Sequence, residues 1–297
     1  MSNAPSTSRL PSERRKPDFI CIGASKAGTT WLYEQLRTDP HIWMPHVKEL
    51  HYFDREEVPR YASLLLKRSV YGHVMRKALL EGMGQGRLSW ALRYLFKART
   101  MERYQDLFVE AGERLAGEVT PAYARMPAER IAQVAAHYPD LKIIYLLRNP
   151  VERIWSHLNM VKKRREGFDE ADVPDLLVRI NERHRESSDY LGNLDRWGKF
   201  FPAEQVHLAF YEELRDEPQA FLDRLYVFLG LETGQEGGRA LVARQNEGVY
   251  AGFPERARAM LYTEWVEEIR AMHQRFDTVY TAQWLQEAEK YIKAKSL

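Results

Sequence analysis

The chain has 297 residues, of which 44% are hydrophobic and 29% are charged, and its formal net charge is +2. This composition supplies apolar material for a large core, so a disordered, collagen-like or low-complexity protein is excluded. The single cysteine, Cys21, excludes a disulfide framework and a cysteine-based zinc site and indicates a reducing compartment. No stretch reaches the roughly 20 apolar residues of a membrane-spanning helix. We therefore expect a cytoplasmic protein with no membrane anchor.

Composition and pattern divide the chain into regions. Residues 1–17 are rich in Ser, Pro and Arg and have no apolar signal core, so we expect a disordered tail. Residues 18–297 are expected to form a single domain. Within that domain, helical patterns predict an insertion over residues 55–111 and a C-terminal helical layer over residues 255–297.

Three segments have the pattern of buried strands. Asp18–Gly23 is short, apolar and β-branched, and a glycine-containing loop and an amphipathic helix follow it. Leu141–Leu147 is almost continuously apolar, which is typical of a strand covered on both faces. Gln205–Phe210 is the third, and helical patterns lie between the strands. The alternation predicts an α/β fold with one parallel β-sheet flanked by helices.

The loop after the first strand has the composition of an anion site. It runs from Gly23 to Thr30 and opens a helix, so backbone N–H groups and the helix dipole favour phosphate or sulfate there. It resembles the nucleotide-binding G-x-x-x-x-G-K-[ST] loop, but Thr29 stands where the lysine should follow the second glycine, and the lysine is Lys26. A nucleoside triphosphatase also needs an acidic residue for Mg²⁺, whereas the second strand runs into Arg148. The pattern indicates an anion held by cationic side chains, and we expect no metal.

Several motifs, in the same order and spacing, resemble those of a known family. Lys26–Trp31 resembles the 5′-phosphosulfate loop of sulfotransferases that use 3′-phosphoadenosine 5′-phosphosulfate (PAPS). Leu147–His157 is similar to their 3′-phosphate segment. Further similar segments are Gly117–Tyr123, Tyr190–Phe200 and Phe210–Gly230. The resemblance, which extends from about residue 18 to about residue 250, implies a P-loop-like fold and transfer of the sulfuryl group from PAPS by in-line displacement, with the 3′,5′-bisphosphate PAP as product.

The resemblance also implies residues that hold the donor. Arg148 and Ser156 correspond to the arginine and serine that bind the 3′-phosphate. Trp31 and Tyr211 correspond to residues beside the adenine, although a core aromatic is an equal reading of Trp31. Lys26 corresponds to the residue that stabilises the leaving group. The loop residues that would contact the 5′-phosphosulfate are Ser25, Lys26, Ala27, Gly28, Thr29 and Thr30.

The acceptor side resembles one branch of the family. Lys48–Asp54 is similar to the Glu-x-His-Phe-Phe segment of heparan-sulfate-type sulfotransferases, which implies that Glu49 is the general base. A nucleophile attacking sulfur needs a base within hydrogen-bond reach, and either Glu49 or His51 has suitable chemistry. Their spacing of two places both on one side of an extended segment; a purely structural pair is the third alternative. Val119 stands where those enzymes carry a lysine.

The acceptor is expected to be a small molecule or a carbohydrate. Basic residues in the insertion suit an acidic glycan, or form only a solvated helix face, while Trp90 and Tyr94 suit an apolar natural product. Two other functions stay open on the sequence, namely a P-loop nucleotide kinase and a non-catalytic PAP-binding or anion-binding module. No recognition element for nucleic acid is present, so a nucleic-acid partner is not expected.

Overall fold

The computed structural model describes residues 14–54, 85–96, 99–164, 173–232, 241–243 and 252–293. Over these residues a five-stranded sheet forms in the order β2-β3-β1-β4-β5, and every neighbouring pair is parallel. The strands are β1 (Phe19–Gly23), β2 (Ile42–Trp43), β3 (Leu115–Val119), β4 (Lys142–Leu147) and β5 (Val206–Phe210). The chain order reverses at β1, which lies between β3 and β4. In sheets of this kind ligands bind at the carboxyl ends of the strands beside such a reversal.

Helices cover the sheet and build a layer at the C-terminal end. They are α1 (Thr29–Thr38), α2 (Gln85–Phe96), α3 (Met101–Gln105), α4 (Ala128–His137), α5 (Pro150–Arg164), α6 (Val173–Ser188), α7 (Tyr190–Gly198), α8 (Tyr211–Asp216), α9 (Pro218–Leu229), α10 (Glu255–Phe276) and α11 (Val279–Lys293). Short 3₁₀ turns occur at Val109–Ala111, Pro121–Arg125 and Ala203–Gln205. In the described part of the chain no helix is both long enough and apolar enough to cross a membrane.

The predicted α/β fold is confirmed, with two strands added. The three predicted strands are present and each begins one residue later than expected. β1 and β4 are buried almost throughout, which explains their continuous apolar pattern. β2 has only two residues, and β3 reads LAGEV, so neither has the length or the β-branched content that marks a strand in sequence.

The structure describes parts of each of the regions predicted from the sequence. Before the predicted boundary at residue 18, Arg15 bonds to Asp18 at 2.6 Å and to the carbonyl of Gly112 at 3.3 Å, and the boundary itself stays a prediction. The preceding residues 1–13 lie outside the described residues. Of the insertion over 55–111, the described parts hold α2, α3 and a 3₁₀ turn, and residues 55–84, 97 and 98 lie outside. The C-terminal region holds α10 and α11.

Candidate active site

The candidate site lies at the carboxyl edge of the sheet. The anion-site loop follows β1, and Arg148 follows β4 directly. The backbone N–H of Glu49 donates to the carbonyl of Val119, the last residue of β3, at 3.0 Å. Because Val119 pairs with Cys21 of β1, three segments that the sequence separates by up to about 120 residues meet at one edge.

The start of α1 leaves backbone donors available to a ligand. Gly28 precedes the helix in the left-handed conformation, with φ 85°, and no side chain caps the helix. The first helical hydrogen bond is from Leu32 N–H to the Gly28 carbonyl, at 3.0 Å. The amides of Thr29, Thr30 and Trp31 therefore have no acceptor within the helix, and they point out of its positive end. This arrangement suits an anion.

One predicted donor of the loop is used within the loop itself. Ala27 N–H bonds to the carbonyl of Ala24 at 3.2 Å and closes a tight turn, while Ala24 N–H bonds to Leu146 of β4 at 2.7 Å. The Ala27 amide therefore already has a partner within the loop, and contact of Ala27 with the donor stays a prediction. The set of amides open to a ligand begins after this turn.

Lys26 and Arg148 are brought together through the backbone. Lys26 has φ 69°, a left-handed conformation that costs a side-chain-bearing residue free energy and occurs most often at functional sites. Its carbonyl accepts a hydrogen bond of 2.6 Å from Arg148 Nη1. Arg148 is buried, which lowers its pKa, although a guanidinium stays charged. Its guanidinium carbon lies 4.2 Å from the centre of the Tyr211 ring, so three of the predicted donor residues are neighbours. Ser156 lies two turns into α5 and is partly exposed.

Trp31 has a structural partner far along the chain. Its indole N–H donates to the carbonyl of Val242 at 2.9 Å, and the side-chain oxygen of Gln35 accepts from Val242 N–H at 2.9 Å. The indole packs against Phe221 and Trp31 is only 9% exposed. Trp31 thus anchors residues 241–243 to α1. Stacking on adenine stays a prediction.

Glu49 is the centre of a charged group at the acceptor side. Lys48 Nζ lies 2.7 Å from Glu49 Oε1, and His51 Nε2 lies 3.6 Å from Glu49 Oε2. On its other side, His51 Nδ1 lies 2.8 Å from Asp54 Oδ2. Burial would raise the pKa of Glu49, but hydrogen bonding from His51 and the charge of Lys48 outweigh it and lower the pKa to about 2. Glu49 is therefore ionised, and its side chain is 41% exposed.

The segment that carries Glu49 is not extended. Glu49 and His51 both have left-handed backbones, with φ of 64° and 48°, so their closeness comes from two tight bends and not from strand alternation. Sequence reasoning missed three neighbours, namely Lys48, Asp54 and Arg99, whose Nη1 donates to the His51 carbonyl at 2.6 Å. The adjacency of Lys48 and Glu49 was a usable signal, whereas the position of Arg99 depends on the fold.

A buried carboxyl group, Glu118 of β3, is connected by hydrogen bonds to the segment that carries Glu49 and His51. Glu118 is 1% exposed, and it accepts hydrogen bonds from the hydroxyls of Tyr104, Thr120 and Tyr123, the last at 3.0 Å. Burial raises its pKa. The Tyr123 hydroxyl in turn accepts from the backbone N–H of Tyr52, at 2.8 Å. The Gly-Glu-x-Thr-Pro motif therefore supports the segment that holds the candidate base.

A comparison with known families decides what this site belongs to. The model of the sulfotransferase family matches residues 17–235, which contain every predicted site residue. The chain belongs to the sulfotransferase family.

Relatives and solved structures agree with that assignment. This sulfotransferase is 25% identical over 236 residues to human heparan sulfate glucosamine 3-O-sulfotransferase 6, covering 75% of this chain and 54% of the relative. It is 23% identical over 301 residues to the membrane-associated sulfotransferase kil1 of Dictyostelium discoideum, covering 72% of this chain and 56% of that protein. The chain thus spans little more than half the length of these relatives.

The fold of this sulfotransferase matches solved structures of bacterial proteins. A sulfotransferase from Alicyclobacillus acidocaldarius aligns with a TM-score of 0.60 and 22% identity, over 91% of this chain and 98% of that one. The sulfotransferase domain of a Synechococcus olefin synthase aligns with a TM-score of 0.53 and 19% identity, over 78% of each chain. Within the described residues, no cluster of three or more His, Cys, Asp or Glu side chains could hold a metal ion.

Proposed function

We propose that this sulfotransferase moves the sulfuryl group from PAPS to a hydroxyl or amine of a small-molecule or glycan acceptor. One observation carries the proposal: an uncapped helix start with two cations beside it shares the edge of the sheet with an ionised carboxylate, Glu49. The first part is chemistry for a phosphosulfate anion, and the second is chemistry for the proton of an acceptor.

The backbone amides and cationic side chains on the donor side suit the phosphate and sulfate groups of PAPS. The amides of Thr29, Thr30 and Trp31 have no helical acceptor, so the loop can bind the 5′-phosphosulfate. Lys26 would stabilise the charge that grows on the 5′-phosphate oxygen as its bond to sulfur breaks. Arg148 and Ser156 would bind the 3′-phosphate, because a planar guanidinium suits phosphate oxygens. Contacts of Ser25, Trp31 and Tyr211 with the donor belong to the same proposal.

On the acceptor side, Glu49 would receive the proton. As the acceptor oxygen or nitrogen bonds to sulfur, its proton passes to the Glu49 carboxylate. The pKa of about 2 means that Glu49 is ready to accept but is a weak base while it pairs with Lys48. An acceptor group that takes the place of Lys48 or His51 beside the carboxylate would strengthen the base at the moment of reaction. His51 remains a second candidate, positioned by Asp54.

The acceptor class follows only in part from the relatives. The name of one relative refers to a glucosamine of heparan sulfate, and a glycan is therefore one class to screen. A nucleotide kinase is disfavoured, because Thr29 occupies the lysine position of its loop and the residue that follows β4 is Arg148 and not an acid.

The experiment is a transfer screen with labelled PAPS against phenols, alcohols, amines and glycans, with PAP binding measured by calorimetry. We expect PAP binding and transfer to at least one class.

Lys26→Ala should lower turnover by roughly 10²–10³, and Glu49→Gln should abolish transfer while PAP affinity stays near normal. Arg148→Ala should weaken PAP more than 5′-AMP. Binding of PAP with no transfer to any acceptor would indicate a binding module, and magnesium-dependent ATP turnover would indicate a kinase.

A further inference from the structure

Arg153 of α5 is a buried cation beside the carbonyl of Ser25 in the anion-site loop. Its side chain is 0% exposed. Its Nη1 donates to the carbonyl of Ser25 over a long 3.4 Å, and its Nη2 bonds to the carbonyl of His184 and to the hydroxyls of Ser187 and Ser188. Every one of these partners is electrically neutral.

No carboxylate forms an ion pair with Arg153 among the residues that the structure describes. None of their carboxylates lies within 4.0 Å of its guanidinium, and its buried Nε has no hydrogen-bond partner. Other positive charges lie near His184, whose carbonyl accepts from Arg153. After burial, the charges of Arg153, His157 and Arg183 are the main causes that lower the pKa of His184 to about 2. A buried cation with only neutral partners is unfavourable unless a counter-charge arrives.

The position of Arg153 also bears on the orientation of the loop. The C=O and N–H groups of a trans peptide point in opposite directions. The hydrogen bond that holds the Ser25 carbonyl toward Arg153 therefore turns the following N–H, that of Lys26, away from Arg153. The next carbonyl, that of Lys26, is held in the same way by Arg148. Two arginines thus hold two successive carbonyls of the loop.

We propose that Arg153 is a positioning residue of the donor site, which orients the Ser25–Lys26 peptide and supplies a buried positive charge that the anionic groups of the bound nucleotide balance together. This inference rests on the proposed use of PAPS. It assigns to Arg153 a role in donor binding without direct contact, and it predicts that the effect of Arg153 grows with the charge of the nucleotide.

The test separates the charge of the Arg153 side chain from its hydrogen-bonding geometry. Arg153→Gln removes the charge and keeps donors for the carbonyls, Arg153→Lys keeps the charge, and Arg114→Gln is the matched control. Arg114 donates to the carbonyls of Ala111 and Glu110 and lies at the opposite edge of the sheet, before β3. Calorimetry measures the affinity for PAP and 5′-AMP, and thermal unfolding without ligand measures stability.

We expect Arg153→Gln to weaken PAP about tenfold or more, and 5′-AMP clearly less, because PAP carries one more phosphate group. Arg153→Lys should lose stability, since it has fewer donors, but stay within about threefold of wild-type PAP affinity. Arg114→Gln should change neither affinity. In kinetics, the loss in Arg153→Gln should raise KM for PAPS more than it lowers kcat.

Three results would overturn the role of Arg153. One is wild-type PAP affinity in Arg153→Gln, and another is an equal loss for PAP and 5′-AMP. If Arg153→Gln does not fold, Arg153→Lys decides alone, and a loss of PAP affinity as large as that expected for Arg153→Gln refutes the charge effect. Wild-type protein that does not bind PAP would overturn the proposed function itself, which distinguishes the two failures.

Discussion

The ammonium group of Lys48 lies 2.7 Å from Oε1 of Glu49, its neighbour in the chain. Adjacent residues point their side chains apart in an extended strand. The left-handed backbone of Glu49, with φ 64°, brings the two together instead. Lys48 therefore contributes, together with His51, to the low basicity of the candidate base, and its share can be tested by changing the lysine alone.

Lys48→Gln should move the acid limb of the pH profile. In the wild-type protein the pKa of Glu49 is about 2, so Glu49 stays ionised throughout an ordinary assay range. Without Lys48, only His51 opposes the effect of burial, so the pKa of Glu49 rises from about 2 toward its ordinary value of 4.5, and the carboxylate protonates at a higher pH. We expect the acid limb of kcat/KM to rise by about one pH unit or more. Lys48→Arg, which keeps the charge, should retain the wild-type profile, and identical profiles for Lys48→Gln and wild type would contradict the prediction.

Gly28→Ala should damage both stability and donor binding. Gly28 has φ 85°, and a methyl group there would lie 3.0 Å from Leu214 Cδ1. The left-handed backbone alone should cost roughly 1–2 kcal/mol of unfolding free energy, and a shift at the start of α1 should weaken PAP. Gly198→Ala is the control, because nothing lies within 4 Å of the added methyl. Chemical denaturation and calorimetry check both effects; equal behaviour of the two variants would refute the role of Gly28.

Tyr123→Phe should lower kcat without weakening PAP. The change removes the hydroxyl that connects Glu118 to the backbone N–H of Tyr52, next to His51. Leaving a buried donor without an acceptor should cost about 1–3 kcal/mol of stability, and the Glu49 segment should lose its support. Tyr138→Phe removes a hydroxyl that donates to the Met101 carbonyl at 2.6 Å, and it should lower stability alone. A normal kcat in Tyr123→Phe would show that the segment is held by other contacts.

His184 should make the protein sensitive to acid. Burial, followed by the charge of Arg153, lowers the pKa of His184 to about 2, while an unfolded chain titrates near 6.5. Below pH 6.5 the unfolded state takes up a proton that the folded state does not, so stability falls by about 1.4 kcal/mol per pH unit until the pH reaches the folded pKa. His184→Gln should be less stable at pH 7.5 but lose less between pH 6.5 and 4.5. The exposed His137→Gln should keep the wild-type slope, and an unchanged slope in His184→Gln would contradict this assignment.

Much of the fold could be predicted because its central strands have a clear pattern in the sequence. β1 and β4 are covered on both faces, which leaves a continuous apolar pattern in sequence. Residues that directly follow such strands, as Arg148 does, fall at one edge of a parallel sheet. β2 and β3 could not be recognised. β2 has only two residues, and β3 contains Gly and Glu, so both strands are stabilised by their neighbours and not by their own composition.

The finer geometry of the site could not be predicted for a different reason. The turn closed by Ala27 and the bends at Glu49 and His51 depend on positive φ angles or local hydrogen bonds, and side-chain periodicity carries no information about these. The bond between Trp31 and Val242 joins residues 211 positions apart, and the sequence offers no pattern that pairs them. Motif similarity located the residues, whereas their partners are a property of the tertiary fold.

The three left-handed residues Lys26, Glu49 and His51 have a consequence for how such a chain can change over generations. At each position glycine would relieve the backbone but would remove a side chain to which the proposed function gives a role. Selection for thermal robustness and selection for turnover therefore act in opposite directions at these positions. If the proposed roles hold, glycine at all three positions in a homologous chain would mark a protein that has kept the fold and lost the proposed reaction.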